Sequence, residues 1–178
     1  MNKFNLKNLL VLGVSILLIA CSSNEKKVIS KDTIVQESKK ANAFFETEYQ
    51  EDLNRNPEDQ TYLGIKTNAD KWNDYSDDFA AEELQHQKLS LQWLKDSINL
   101  AALDSDTRLS YDLYKARLEN QISDYEFRLY NYPVNQMHGM QAEVPAFLIN
   151  MHQIIDVKDA ENYIARLNAM KPLFDQLV

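Results

Sequence analysis

Cysteine occurs once in these 178 residues, glycine three times and proline four times. A lone cysteine excludes a disulfide within the chain, so the fold must hold by its core. Glycines scattered at Gly13, Gly64 and Gly139 exclude a phosphate-cradling loop and a dinucleotide fingerprint, which both need clustered glycines. Positive charge is also short: 19 Lys and Arg stand against 27 Asp and Glu, a net charge of −8. Nucleic acid and anionic lipid repel such a chain, so neither is expected as an electrostatic partner. No segment alternates apolar and polar residues over the length of a strand, and no repeat is present. The chain reads as all-α, with several long amphipathic helices.

The N-terminus is different in composition. Lys3 and Lys7 precede a run from Leu9 to Ala20 that only Gly13 and Ser15 interrupt. A membrane-spanning helix needs about 20 apolar residues, so this run suits a signal peptide better than a span. It ends in Leu18-Ile19-Ala20-Cys21, which resembles the lipobox of bacterial lipoproteins. That resemblance implies removal of residues 1–20, a diacylglycerol on Cys21 and attachment to the membrane through the lipid. Ser22 stands where an Asp would resemble an inner-membrane retention signal. The expected location is therefore the cell envelope, at the outer membrane facing the periplasm. Losing Lys3 and Lys7 takes the net charge from −8 to −10.

Residues 21–32 are polar and read as a flexible tether, and 33–178 as a helical domain. Ala41, Phe44, Phe45, Tyr49 and Leu53 recur at helical spacing from Thr33 to Arg55, and Asn56-Pro57 stops them. Thr61 to Gly64 reads as a linker. Ser76, with Asp77 and Asp78 behind it, predicts a helix N-terminus and a helix to Ser97 that buries Phe79, Leu84, Trp93 and Leu94. Another helix is expected from Ser105 or Asp106, its stripe running through Tyr111, Tyr114, Leu118, Ile122, Tyr125 and Leu129. Two prolines and a glycine make 133–146 the longest irregular stretch expected, with a short helix over Phe147 to Met151. Asp156 and Asp159 predict a capping pair for the last helix. Its apolar stripe is Ala160, Tyr163, Ile164, Leu167, Met170, Leu173, Phe174, Leu177 and Val178, with Pro172 a kink that keeps the phase. That stripe continues without a cap, so Leu173, Phe174 and Leu177 are expected to lack a packing surface, as in the N-terminal part of a longer protein.

Candidate chemistry is thin. His86 sits among Gln85, Gln87 and Lys88 and reads as a solvated surface histidine. His138 and His152 flank the irregular stretch, but no third ligand is evident for a metal. Asp70, Asp74, Asp77 and Asp78 fail the calcium-loop pattern, because Trp72 breaks the ligand alternation and no glycine makes the turn. No serine lies in a glycine-flanked nucleophile motif. The segment from Asn131 to His152, rich in amides, Met and His, reads equally as a functional segment and as a loop sealing the helix ends. Its candidate contact residues are Tyr132, Asn135, Gln136, His138 and His152.

Three stretches carry a family resemblance. They are Asn54-Arg55-Asn56-Pro57 with Thr61-Tyr62-Leu63-Gly64; Tyr132 to Gln136, Gly139, Val144 to Leu148 and His152; and Asp159 to Leu167. Together, over about residues 40–178, they resemble the N-terminal region of the bacterial family catalogued as domain of unknown function 885. The resemblance implies a helical, often lipid-anchored protein similar to zinc-dependent peptidases of the thermolysin-like superfamily. The family's His-Glu…His metal motif lies well downstream of the matched region, so no catalytic or metal residue is carried over. Zinc and a peptide substrate are implied for the longer protein only, with this chain alone inactive and supplying scaffold and one wall of a peptide channel. The alternative is a small helical lipoprotein that binds a partner and catalyses nothing.

Overall fold

Helix N-terminal signals in the sequence map closely onto the computed structural model, which describes residues 29–177. Among those residues there are seven α-helices and no strand. They are α1 (Lys31–Arg55), α2 (Pro57–Tyr62), α3 (Asp77–Ser97), α4 (Ser105–Asp124), α5 (Met140–Asn150), α6 (Val157–Asn168) and α7 (Met170–Asp175). Short 3-10 turns cover Leu100–Ala102 and Tyr125–Tyr130. Residues from Lys31 onward form one compact unit. The expected signal segment, Cys21 and residues 21–28 of the expected tether lie outside the described residues. No helix among the described residues is long and apolar enough to cross a membrane.

Capping chemistry sets the helix starts. Ser76 Oγ accepts the Phe79 N–H at 3.2 Å and opens α3. α4 is capped by Asp104, one residue ahead of the expected start; its carboxylate accepts the Thr107 N–H at 2.8 Å. Asp156 and Asp159 form the expected reciprocal capping box at α6. Pro57 ends α1 but also opens α2, because a proline at the first helical position lacks only an N–H that would go unpaired anyway. The expected linker from Thr61 is therefore partly helical. α2 closes at Gly64, with φ +74° and Ile65 N–H bonded back to Gln60 O at 2.7 Å.

α1, α3 and α4 enclose the main core of Ala41, Leu94, Ile98 and Tyr111, flanked by Phe44, Phe45, Leu100, Leu103 and Tyr114. Phe44 stacks on Trp93 at 4.2 Å and meets Tyr114 edge-on at 6.0 Å. Of the four residues expected to be buried on α3, only Leu94 is; Phe79 and Leu84 are half-buried and Trp93 covers Phe44 from outside. The α4 stripe holds through Leu118, stays half-buried at Ile122 and Tyr125, and fails at Leu129, because the helix tightens to 3-10 at Tyr125 and the phase is lost. A second apolar group gathers Val144, Phe147 and Leu148 of α5 with Tyr62 and Trp72, whose rings each lie 5.3 Å from Phe147.

Two expectations fail here. The longest irregular stretch is 63–76, and the second half of 133–146 lies in α5. Pro145 lies inside that helix on its exposed face, where the carbonyl deprived of a partner can turn to water. Nor does the last helix run through Pro172. It breaks at Ala169, as the proline ring would clash with a helical carbonyl at Asn168, and α7 begins afresh. Leu173 is then buried and Phe174 and Leu177 half-buried, so the expectation that they lack packing is wrong.

Candidate functional site

α6 is rotated relative to its sequence pattern. Of the predicted stripe, Ala160 and Tyr163 are half-buried and Ile164 and Leu167 exposed, while Asp159, Asn162 and Arg166, in steps of three and four, are buried. Arg166 has no solvent-exposed surface. Its Nε donates to Lys71 O at 2.8 Å and its NH2 to Thr61 Oγ1 at 2.8 Å and Pro57 O at 3.3 Å. NH1 donates to His152 Nδ1 at 3.0 Å. The guanidinium lies over the rings of Phe147 (4.9 Å) and Trp72 (5.5 Å), and Trp72 Nε1 donates to Arg166 O at 2.9 Å. One side chain thus ties α2, the 63–76 segment, the end of α5 and α6 together. Every direct partner is neutral, and burial pushes its pKa down to about 10, with Glu58 and Asp70 opposing from a distance.

This network fixes His152. Because Arg166 donates to Nδ1, the proton of the neutral ring sits on Nε2, which donates to Asp159 O at 3.2 Å. Burial first, and then the Arg166 charge, hold the imidazole below its ordinary value of 6.5. Asp159 accepts from Lys66 Nζ on both oxygens at 2.7 and 2.8 Å and from the Ile155 N–H at 3.0 Å. The Lys66 bond, and next the backbone, keep its carboxyl below the usual range. Above these groups lies a pocket of about 260 Å3, lined by Tyr62, Ile65, Lys66, Met151, His152 and Asp159 among others. Lys66 is half-exposed at its edge, with Ile65, Met151 and Ile155 supplying apolar wall. Both ring nitrogens of His152 are engaged, so the groups present can bind and orient a guest.

The segment between Asn131 and His152 does not act as one unit. His152 belongs to the buried network. Tyr132, Gln136 and His138 are exposed on a turn that an isolated bridge closes between Val134 and Gly139. Asn135 Oδ1 organises that turn by accepting the N–H groups of Met137 (3.0 Å) and His138 (2.7 Å). Gly139 is required there: φ is +142°, and a Cβ would meet Pro133 O at 2.8 Å. His138 and His152 form no ligand set with acids among the described residues.

His86 is a correction. It is half-buried, and its Nε2 lies 3.2 Å from Glu51 Oε2 and 4.0 Å from Glu48 Oε2, so it is no freely solvated side chain. Lys66 and Arg166 were also missed. The available signal was the polar triplet Asp159, Asn162 and Arg166 in helical phase, which the rule of burying the apolar stripe overrides.

A family model described as "Bacterial protein of unknown function (DUF885)" matches residues 57–178, more than half of the chain and every residue lining the pocket. No curated protein and no solved structure matches.

Proposed function

The chain belongs to the DUF885 family of bacterial proteins, and from that premise we propose that it is the helical, ligand-contacting wall of a lipid-anchored, zinc-peptidase-like protein of the cell envelope. The observation that carries the ligand-contacting role is the pocket over His152 and Asp159. Its volume is just under the roughly 300 Å3 at which pockets begin to hold a drug-sized molecule. It suits one apolar side chain of a peptide, with Lys66 at the edge to meet a carbonyl or carboxylate. The Arg166 network beneath it keeps the walls rigid, which lowers the ordering cost of binding. Zinc and the base that would activate water are not assigned to any residue here. The anchor of this reading is an acylated Cys21.

Peptide binding is tested with the full chain in detergent, by NMR shift mapping with short peptides carrying one leucine or phenylalanine. Shifts centred on Tyr62, Ile65, Lys66 and Met151, with affinity reduced about fivefold in Lys66→Met, support the reading. No binding, or shifts elsewhere, overturns it. The anchor is tested by fatty-acid labelling of cells; label that persists in Cys21→Ala sinks that part.

A second reading is favoured by the exposed Ile149, Ile155, Val157 and Ile164. It is a small helical lipoprotein that binds a protein partner and catalyses nothing. A reading frame continuing past Val178 into a helix-borne His-Glu…His decides for the first reading, and a stop there for the second.

A further inference from the structure

We propose that Glu48 and Glu51 of α1 and His86 of α3 form a binding site for one divalent transition-metal cation of the zinc and cobalt class. The site shares no residue with the pocket over His152 and does not depend on the proposed function. Glu48 and Glu51 are three residues apart, so their carboxylates leave α1 on the same face. α3 brings His86 to them from outside that helix. One ligand atom from each of the three residues falls within 4.8 Å of the others. In a tetrahedral site with ligands about 2.1 Å from the ion, neighbouring ligand atoms stand about 3.4 Å apart. The His86 Nε2 distance of 3.2 Å to Glu51 Oε2 is close to that figure.

Three further observations point the same way. A cavity of about 30 Å3 opens against Glu48 and His86, closed by Glu83, Tyr114, Arg55 and Arg117, with Glu51 outside its lining. That is room for a single ion or water. The second concerns charge. Arg55 pairs with Glu83 at 2.5 Å and Arg117 with Asp52 at 3.3 Å. The nearby guanidinia are therefore spent, and Glu48 and Glu51 are left as two negative charges beside a ring nitrogen, which a divalent cation would balance. The third is the support around the most buried ligand. Glu48 is over nine-tenths buried, and its Oε2 accepts from Ser90 Oγ at 2.7 Å and Tyr114 OH at 2.9 Å. These two bonds fix the plane of the carboxylate, as outer hydrogen bonds do around metal ligands. One imidazole and two carboxylates form a donor set of borderline softness, which suits zinc or cobalt better than calcium or magnesium.

The test uses the full chain in detergent, stripped with EDTA and dialysed. Zn2+ is titrated calorimetrically and Co2+ by visible absorption. The expected result is one equivalent of either ion, with cobalt d–d bands that show a nitrogen and oxygen ligand set. His86→Ala should abolish the bands, and Glu51→Gln should weaken binding about tenfold or more. Glu51 is more than half exposed, so its glutamine variant keeps the fold even if His86→Ala does not. His138→Ala, altered on an exposed turn, should bind as the parent does. Failure of the parent to bind either ion would reduce the cluster to a hydrogen-bonded His–Glu pair. Binding that survives both His86→Ala and Glu51→Gln would place the ion elsewhere. Either outcome overturns the proposal.

Discussion

Replacing Arg166 with methionine asks whether one buried guanidinium holds the second half of the fold together. Methionine roughly fills the stem of the side chain but removes four hydrogen bonds, to Lys71 O, His152 Nδ1, Thr61 Oγ1 and Pro57 O. Thr61 Oγ1 can still donate to Pro57 O at 3.1 Å, so that pair is partly self-sufficient. His152 Nδ1 loses its donor outright, at about 1–3 kcal/mol for a buried polar atom left unpaired, while Lys71 O, only partly buried, can turn to water and costs less. Two cation–ring contacts add about 0.5–1 kcal/mol each. Removing a buried charge with no carboxylate in direct contact offsets part of this, since its desolvation was a cost. The net expectation is a loss of about 2–4 kcal/mol, a large share of a margin that is typically about 5–15 kcal/mol. Arg166→Lys should fail to rescue, because a single ammonium cannot reproduce a planar fork aimed at separate acceptors. Urea unfolding followed by circular dichroism gives the stability. Tryptophan emission gives a local report, as Trp72 bonds to Arg166 O. A loss below about 1 kcal/mol, or full rescue by lysine, would refute the view that this network organises the domain.

Protonation of His152 should carry a pH signature. Its folded-state pKa is depressed, so below 6.5 the unfolded chain takes up a proton that the folded chain refuses. Its stabilising contribution is present above pH 6.5 and declines as pH falls from there towards the folded value; His152→Gln should flatten that slope in urea melts at pH 7.5 and 5.5. Gly139→Ala should cost about 1–3 kcal/mol, from the disfavoured φ and the contact with Pro133 O, seen as a lower thermal midpoint. Ser76→Ala should cost about 1 kcal/mol through the lost cap of α3, and Ser76→Asp should restore it. Val157→Thr with Ile164→Gln should leave stability within about 0.5 kcal/mol and reduce light scattering, because both side chains are mostly exposed.

Local signals in the sequence settled the local structure. The end of α1 at Arg55, the cap at Ser76, the length of α3 and the capping box at α6 depend on residues within a few positions of one another. Their energetics close within a single turn, which is why they can be read without a fold. The all-α class follows from the same periodicities, and the family from the residues of three stretches. Tertiary structure decided which face of α6 goes inside. Acceptors for Arg166 come from Pro57, Thr61, Lys71 and His152, up to 109 residues away in the chain. No short window of the sequence holds the donor with all of its partners, so the apolar stripe points to a face rotated from the one that is most buried. The same holds for His86, whose neighbours look solvated along its own helix while Glu48 and Glu51 arrive from α1. Burial of a polar side chain is decided by whether distant groups can satisfy it, and only the folded chain brings those groups together.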